Sequence, residues 1–210
     1  MLHPRLRALF FSGSILVVGF ASAELLFPAW VLSSLGADLL APALVLSACG
    51  YSVGFLFWQL FGAHNSARWT GILSVGLLSQ GLVLAGALFQ FCQSNLWLWF
   101  TGIALFNCSI PPTLAAQQSL WHRWITAHNQ PSFFAARYTF DWTIRLLTVA
   151  LCGLLLDSVL APLLIHLDSP LIGAGLGRPM AVALGIVGIA QLLTLFSFSP
   201  SLLSSVDKAT

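Results

Sequence analysis

Six long apolar stretches, each able to cross a bilayer as a helix, dominate the sequence and leave little room for another fold. A hydrocarbon core of about 30 Å takes about 20 helical residues. The stretches run over 8–35, 39–63, 69–91, 96–119, 133–156 and 179–198. Each is apolar all round and too long for a barrel strand, so its backbone groups must pair within the segment, as in a helix. Polar and glycine punctuation separates them: Gly36 with Asp38, His64 to Arg68, Cys92 to Asn95, and two longer connections. The fold class this predicts is all-α: a polytopic membrane protein with one six-helix domain over residues 1–210.

Charge supports the same class. Only 7% of the residues are charged and 58% are hydrophobic, whereas soluble domains carry about 25% charged residues. A net charge of +2 with no basic run argues against a nucleic-acid partner. Cys49, Cys92, Cys108 and Cys152 stand singly in apolar stretches, unlike the clustered spacing of zinc or redox sites. They are expected to be small buried side chains. No GxSxG or HExxH motif is present. His122 and His128 have no carboxylate or cysteine close in sequence, so neither an enzyme, a metal nor a cofactor is expected.

Basic residues fall unevenly between the two sides that six crossings define. Arg5, Arg7, Arg68, Arg123 and Lys208 share one side and Arg178 the other. The positive-inside rule then puts both termini in the cytoplasm of a plasma (inner) membrane protein. Trp97 and Trp99, and Trp121 and Trp124, read as interfacial anchors at the two ends of the fourth helix. A rival reading takes Arg5 to Ala23 as a cleavable leader, but apolar character resumes at once after Glu24, from Leu25 to Leu32.

Ionisable residues at membrane depth are functional candidates, because each costs about 2.5–3.5 kcal/mol on insertion scales. Glu24 lies within the first apolar run. Asp141 and Arg145 lie within the fifth, four residues apart and so on one helix face, where they are expected to pair. Two readings stay open for that pair: a packing clasp, or a switchable pair on a polar pathway. Glu24 is either a hydrogen-bonded protonated carboxyl or a proton-binding group. Asn107, with Pro111 and Pro112, marks a kink or a break in the fourth helix. Gln59, Gln80, Gln117 and Gln191 suggest interhelical hydrogen bonds, each contributing about 0.6 kcal/mol. Gly50 with Gly54, and Gly81 with Ala85, permit close helix contact.

Four segments carry a family resemblance. Ala115 to Ile125 resembles the "qaiwQ-x-kv" stretch that ends the tenth helix of a major facilitator subgroup, the transmembrane secretion effectors, which include siderophore and macrolide exporters. Phe133 to Arg137 resembles the "GRvFAxR" opening of its eleventh helix, and Gly153 to Leu164 its "GpLaDrvfePll" segment. Ile172 to Arg178 resembles "iGtGpGRG" before the twelfth helix. Ser132 and Phe133 replace the family's Gly-Arg pair, and the His64 to Arg68 connection lacks the acidic residue of the gating motif. Asp157 would sit in a structural turn at the end of its helix.

The resemblance implies one half of a twelve-helix exporter, completed by a second six-helix unit that is a separate chain or a second copy. It implies proton-coupled efflux of a small amphipathic compound, with Glu24, Asn107, Asp141 and Arg145 lining the pathway. A non-transporting membrane scaffold derived from such a half is the alternative.

Overall fold

The structure, a computed structural model, describes residues 4–62, 64, 68–89, 95–165 and 178–203. Cys92, Lys208 and the glycine-rich stretch 172–177 lie outside the described residues. Helix α1 spans Pro4–Ser34, α2 Leu40–Phe57, α3 Trp69–Gly86, α4 Leu96–Trp124, α5 Gln130–Leu155 and α6 Arg178–Leu203. These six are long and apolar enough to cross a membrane, and no strand occurs among the described residues.

Local chemistry sets the ends. Gly36, at φ 96°, makes the turn between α1 and the 3-10 turn that leads into α2; glycine takes this left-handed conformation without a Cβ clash. The Asn95 side chain caps α4, its Oδ1 accepting from the amides of Trp97 (3.1 Å) and Leu98 (3.3 Å). At the other end of α4, Gln130 Nε2 donates to the carbonyls of His122 (3.0 Å) and Ile125 (3.1 Å). These terminal carbonyls have no partner inside the helix. Helix α5 does not stop at Leu156. A π turn over Leu156–Leu160 and a further turn over Ala161–Ile165 extend it, so Asp157 lies in a continuing helix and not in a terminal turn.

Neighbours in space differ from neighbours in sequence. Helix α4 packs against α2 and α3, α6 against α3 and α1, and α1 against α5, whereas α4 and α5 meet only near their connection. The neighbour order α2, α4, α3, α6, α1, α5 leaves α2 and α5 at its two ends. Only 17% of the most apolar window of α2 and 11% of that of α5 are buried, against 50% for α1 and 44% for α6. The bundle is therefore open along one side.

Small residues bring the packed pairs close, at the expected positions. A Cβ at Gly50 or Gly54 of α2 would fall on the carbonyl oxygens of Ala104 and Cys108 in α4. Helix α4 stays unbroken through Pro111 and Pro112. Pro112 has no amide to bond the Cys108 carbonyl, and that freed oxygen faces the α2 backbone at Gly54. On the opposite side, Gly188 of α6 lies against the backbone of α3 at Gly81 and Ala85.

The core corrects several sequence expectations. Trp97 is exposed, as an anchor would be, but Trp99 is buried and stacks on Trp30 at 3.9 Å, with Phe27 edge-on at 5.8 Å. Trp121 is buried too, 4.8 Å from the Phe133 ring. Cys152 is buried beside Ser22, while Cys49 is exposed on α2. Of the glutamines, Gln191 reaches across to the Ile15 carbonyl at 3.5 Å, and fully buried Gln80 finds no hydrogen-bond partner among the described residues.

Overpacking a close helix contact costs about 1–3 kcal/mol. Gly54→Val should lower stability by that amount in detergent unfolding curves. Gly153→Ala, with open space around its Cα, should leave the curve where it was.

Candidate functional site

The open side is a groove floored by α1 and walled by α4 with α2 on one side and α5 on the other. Helices α1 and α5 run in the same direction, as Phe10 with Phe140 and Ser22 with Cys152 show. Along α5, positions 137, 141 and 145 recur every four residues and share the face turned to the groove. Three charges therefore stand in a row, Arg137, Asp141 and Arg145. Spacing alone lets Asp141 pair with either arginine.

Tertiary contacts choose Arg137, so the expected Asp141–Arg145 pair does not form. Arg137 Nε donates to Asp141 Oδ2 at 3.0 Å, and Nη2 lies 2.7 Å from Oδ1. Nη1 donates to the Phe10 carbonyl at 3.3 Å and the Ser14 hydroxyl at 3.4 Å, both on α1. The guanidinium also lies 4.7 Å from the Phe10 ring centroid, with Phe140 and Trp121 at 5.8 and 5.9 Å. Its side chain is only 6% exposed. A planar cation with a fork of donors can bond a carboxylate and a carbonyl while stacking on rings, which an ammonium cannot. Arg137 clasps α5 to α1.

Arg145 pairs instead with Glu24, through Nη2 and Oε2. The bridge joins α5 to α1 a second time, and Trp142 flanks the guanidinium at 5.3 Å. Unlike the first clasp it is open, with Arg145 40% and Glu24 60% exposed. Both residues line a cavity of about 410 Å³, together with Asn107, Ser47 and Tyr51. Its remaining wall is apolar and aromatic, including Phe20, Phe27 and Phe106. The Asn107 side chain, which also lines the cavity, donates to the Ile103 carbonyl of its own helix at 2.9 Å.

Of the four residues singled out from sequence, Glu24, Asn107 and Arg145 meet around one cavity. Asp141 lies further along the same groove. A second hollow, lined by Leu114, Tyr138, Asp141 and Arg145, links the cavity to a third around Gln117, His122 and Arg137. Sequence reasoning missed Arg137 as a site residue. Its spacing to Asp141 equals that of Arg145, so the signal was present, but only α1 could decide between them. His122 hydrogen-bonds Gln130 at 3.2 Å and lies 4.5 Å from the Phe134 ring, at the edge of the groove.

Compared with known proteins, the chain matches no family model, no curated protein and no solved structure. Fold and site together define a class and no more: among the described residues, a helical bundle with six helices long and apolar enough to cross a membrane and an open groove that holds four charges.

Two predictions separate the clasps. Arg137→Ala should destabilise by about 3–5 kcal/mol, because it strands a half-buried carboxylate. The double variant Arg137→Met with Asp141→Leu should regain most of that in denaturant titrations followed by tryptophan fluorescence. For the open bridge, a double-mutant cycle over Glu24→Gln and Arg145→Gln should return a coupling energy of about 0.5–3 kcal/mol. Strict additivity of the two single variants would show that the bridge does not hold α1 to α5.

Proposed function

We propose that this chain is one half of a major facilitator-type transport pathway, completed by a second six-helix unit facing the groove. A single observation carries the reading. A groove along the whole open side gathers Glu24, Arg145, Arg137 and Asp141 within segments apolar enough to cross a membrane. Charges at that depth belong against protein or a water-filled path, not lipid. The cavity of about 410 Å³, apolar with a charged end, suits a small amphipathic compound. The direction is export driven by protons, from a plasma (inner) membrane with both termini cytoplasmic. The four-segment resemblance and the basic-residue bias support those parts of the reading.

Glu24 is the coupling group in this scheme. As a carboxylate it holds Arg145 and so ties α5 to α1. A proton on Glu24 removes the counter-charge, loosens that tie and leaves Arg145 free to meet Asp141 or a substrate anion. The Arg137 clasp keeps the two helices joined while the Glu24–Arg145 tie opens.

The test is vesicle reconstitution with an amphipathic fluorescent dye and an imposed proton gradient. Gradient-dependent dye movement is expected, and Glu24→Gln should abolish it while the protein still inserts. Unchanged transport in that variant removes Glu24 from coupling. No dye movement by the assembled protein favours the non-transporting scaffold, a reading that the small number of ionisable groups also suits.

A further inference from the structure

We infer that the bundle holds an internal water site behind the groove, with a water bound between Gln80 of α3 and Gln191 of α6. The site stands apart from the groove and needs neither a transported compound nor a second unit.

The apolar core falls into two parts. One gathers Phe106, Leu84 and Leu184, and the other Leu16, Leu77 and Leu120. A polar layer lies where they meet. On α3 it is Gln80, one turn from Leu77 and one turn from Leu84. On α4 it is Thr113, and on α6 Gln191. All three side chains are 0% exposed.

Glycines make room for this layer. A Cβ at Gly19 of α1 would fall on the Gln191 amide nitrogen, and one at Gly76 of α3 on the Thr113 hydroxyl. Gly76 precedes Gln80 by four residues and so shares its face of α3. The contact between α3 and α6 sets the depth. Gly81 lies against Leu192, and Gly188 against Ala85. Gln80 and Gln191 therefore stand within one helical turn of each other along the bundle axis.

Hydrogen-bond accounting points to the ligand. The Thr113 hydroxyl donates to the Ser109 carbonyl and is satisfied. Gln191 Nε2 donates to the Ile15 carbonyl of α1 at 3.5 Å, but its Oε1 has no partner among the described residues. Gln80 has none for either Oε1 or Nε2. Buried amides in folded proteins are bonded to protein groups or to ordered water. Two acceptors and a donor are left to meet, and a buried water makes about three hydrogen bonds. Gln80 presents both a donor and an acceptor whichever way its amide is turned. Water donates and accepts, so one molecule can serve both glutamines. A cation accepts no hydrogen bond and would leave the Gln80 donor unmet. Bound there, water ties α6 to α3, and Gln191 carries the tie on to α1.

The experiment is radiolytic footprinting of the full chain in nanodiscs, in water labelled in its oxygen. Brief irradiation makes hydroxyl radicals from bound as well as bulk water, and mass spectrometry reads which side chains take up the label. Leu77 and Leu84 flank Gln80 and are only 1% and 0% exposed. Both should be labelled in the wild-type chain, while Leu26, also 1% exposed but away from the layer, should stay silent. The double variant Gln80→Leu with Gln191→Leu should silence Leu77 and Leu84. In denaturant titrations each single variant should lower the midpoint, and the double variant should recover part of the loss, because it leaves no amide stranded.

Unlabelled Leu77 and Leu84 in the wild-type chain overturn the site without recourse to any variant. A Gln80→Leu midpoint above the wild-type value, additive with Gln191→Leu, shows a dry amide and overturns it as well. A wild-type midpoint that falls when choline replaces sodium puts a cation there and overturns water as the ligand.

Discussion

An ion in a membrane-spanning helix must be met by opposite charge, by hydrogen-bond donors or acceptors, or by water, because hydrocarbon offers none of these. In this protein, whose six long helices are apolar enough to cross a membrane, that requirement bears on the four charges of the groove. Arg137 meets it completely, with a carboxylate on its own helix, a backbone carbonyl and a hydroxyl on α1, and rings around its plane. Position 137 consequently fixes how α5 sits against α1. The other two charges of the groove, Glu24 and Arg145, pair with each other beside Trp142 and stay half open. One clasp is structural and closed, and the other faces the cavity.

The asymmetry between the clasps follows from where α5 leans. Helix α5 packs mainly on α1, touching α4 near their connection and α6 through its extension. The row at 137, 141 and 145 passes from the closed clasp to the half-open bridge, and the α1–α5 contact closes again where Cys152 meets Ser22. Close packing elsewhere depends on glycine. At Gly50, Gly54 and Gly188 the backbones approach closely enough that a side chain would collide with a neighbouring carbonyl or amide. Those contacts hold α2 to α4 and α6 to α3.

Much of this was legible in the residues. The six helices follow from apolar length, and their centres from hydropathy, because lipid enforces internal backbone pairing whatever the tertiary arrangement. Their ends were less legible. Helix α4 continues to Trp124 and α5 beyond Leu156, since amphipathic ends are held by neighbours and caps that hydropathy does not register. Glu24, Asn107 and Arg145 stood out as polar residues in apolar runs, and they do share a cavity. Trp99 and Trp121 misled because aromatic rings near helix ends suit an interface and a core equally well.

The sequence by itself determined that this chain is a bundle of apolar helices with few charges, and which charges those are. Composition and periodicity are properties of one segment at a time, so they suffice for that. Only the tertiary structure decided the pairing. Asp141 stands four residues from an arginine on either side, and the helix treats the two alike. What separates them is α1, which offers a carbonyl, a hydroxyl and a ring to Arg137 but a carboxylate to Arg145. No local rule contains that choice, because the deciding groups lie more than a hundred residues away in the chain.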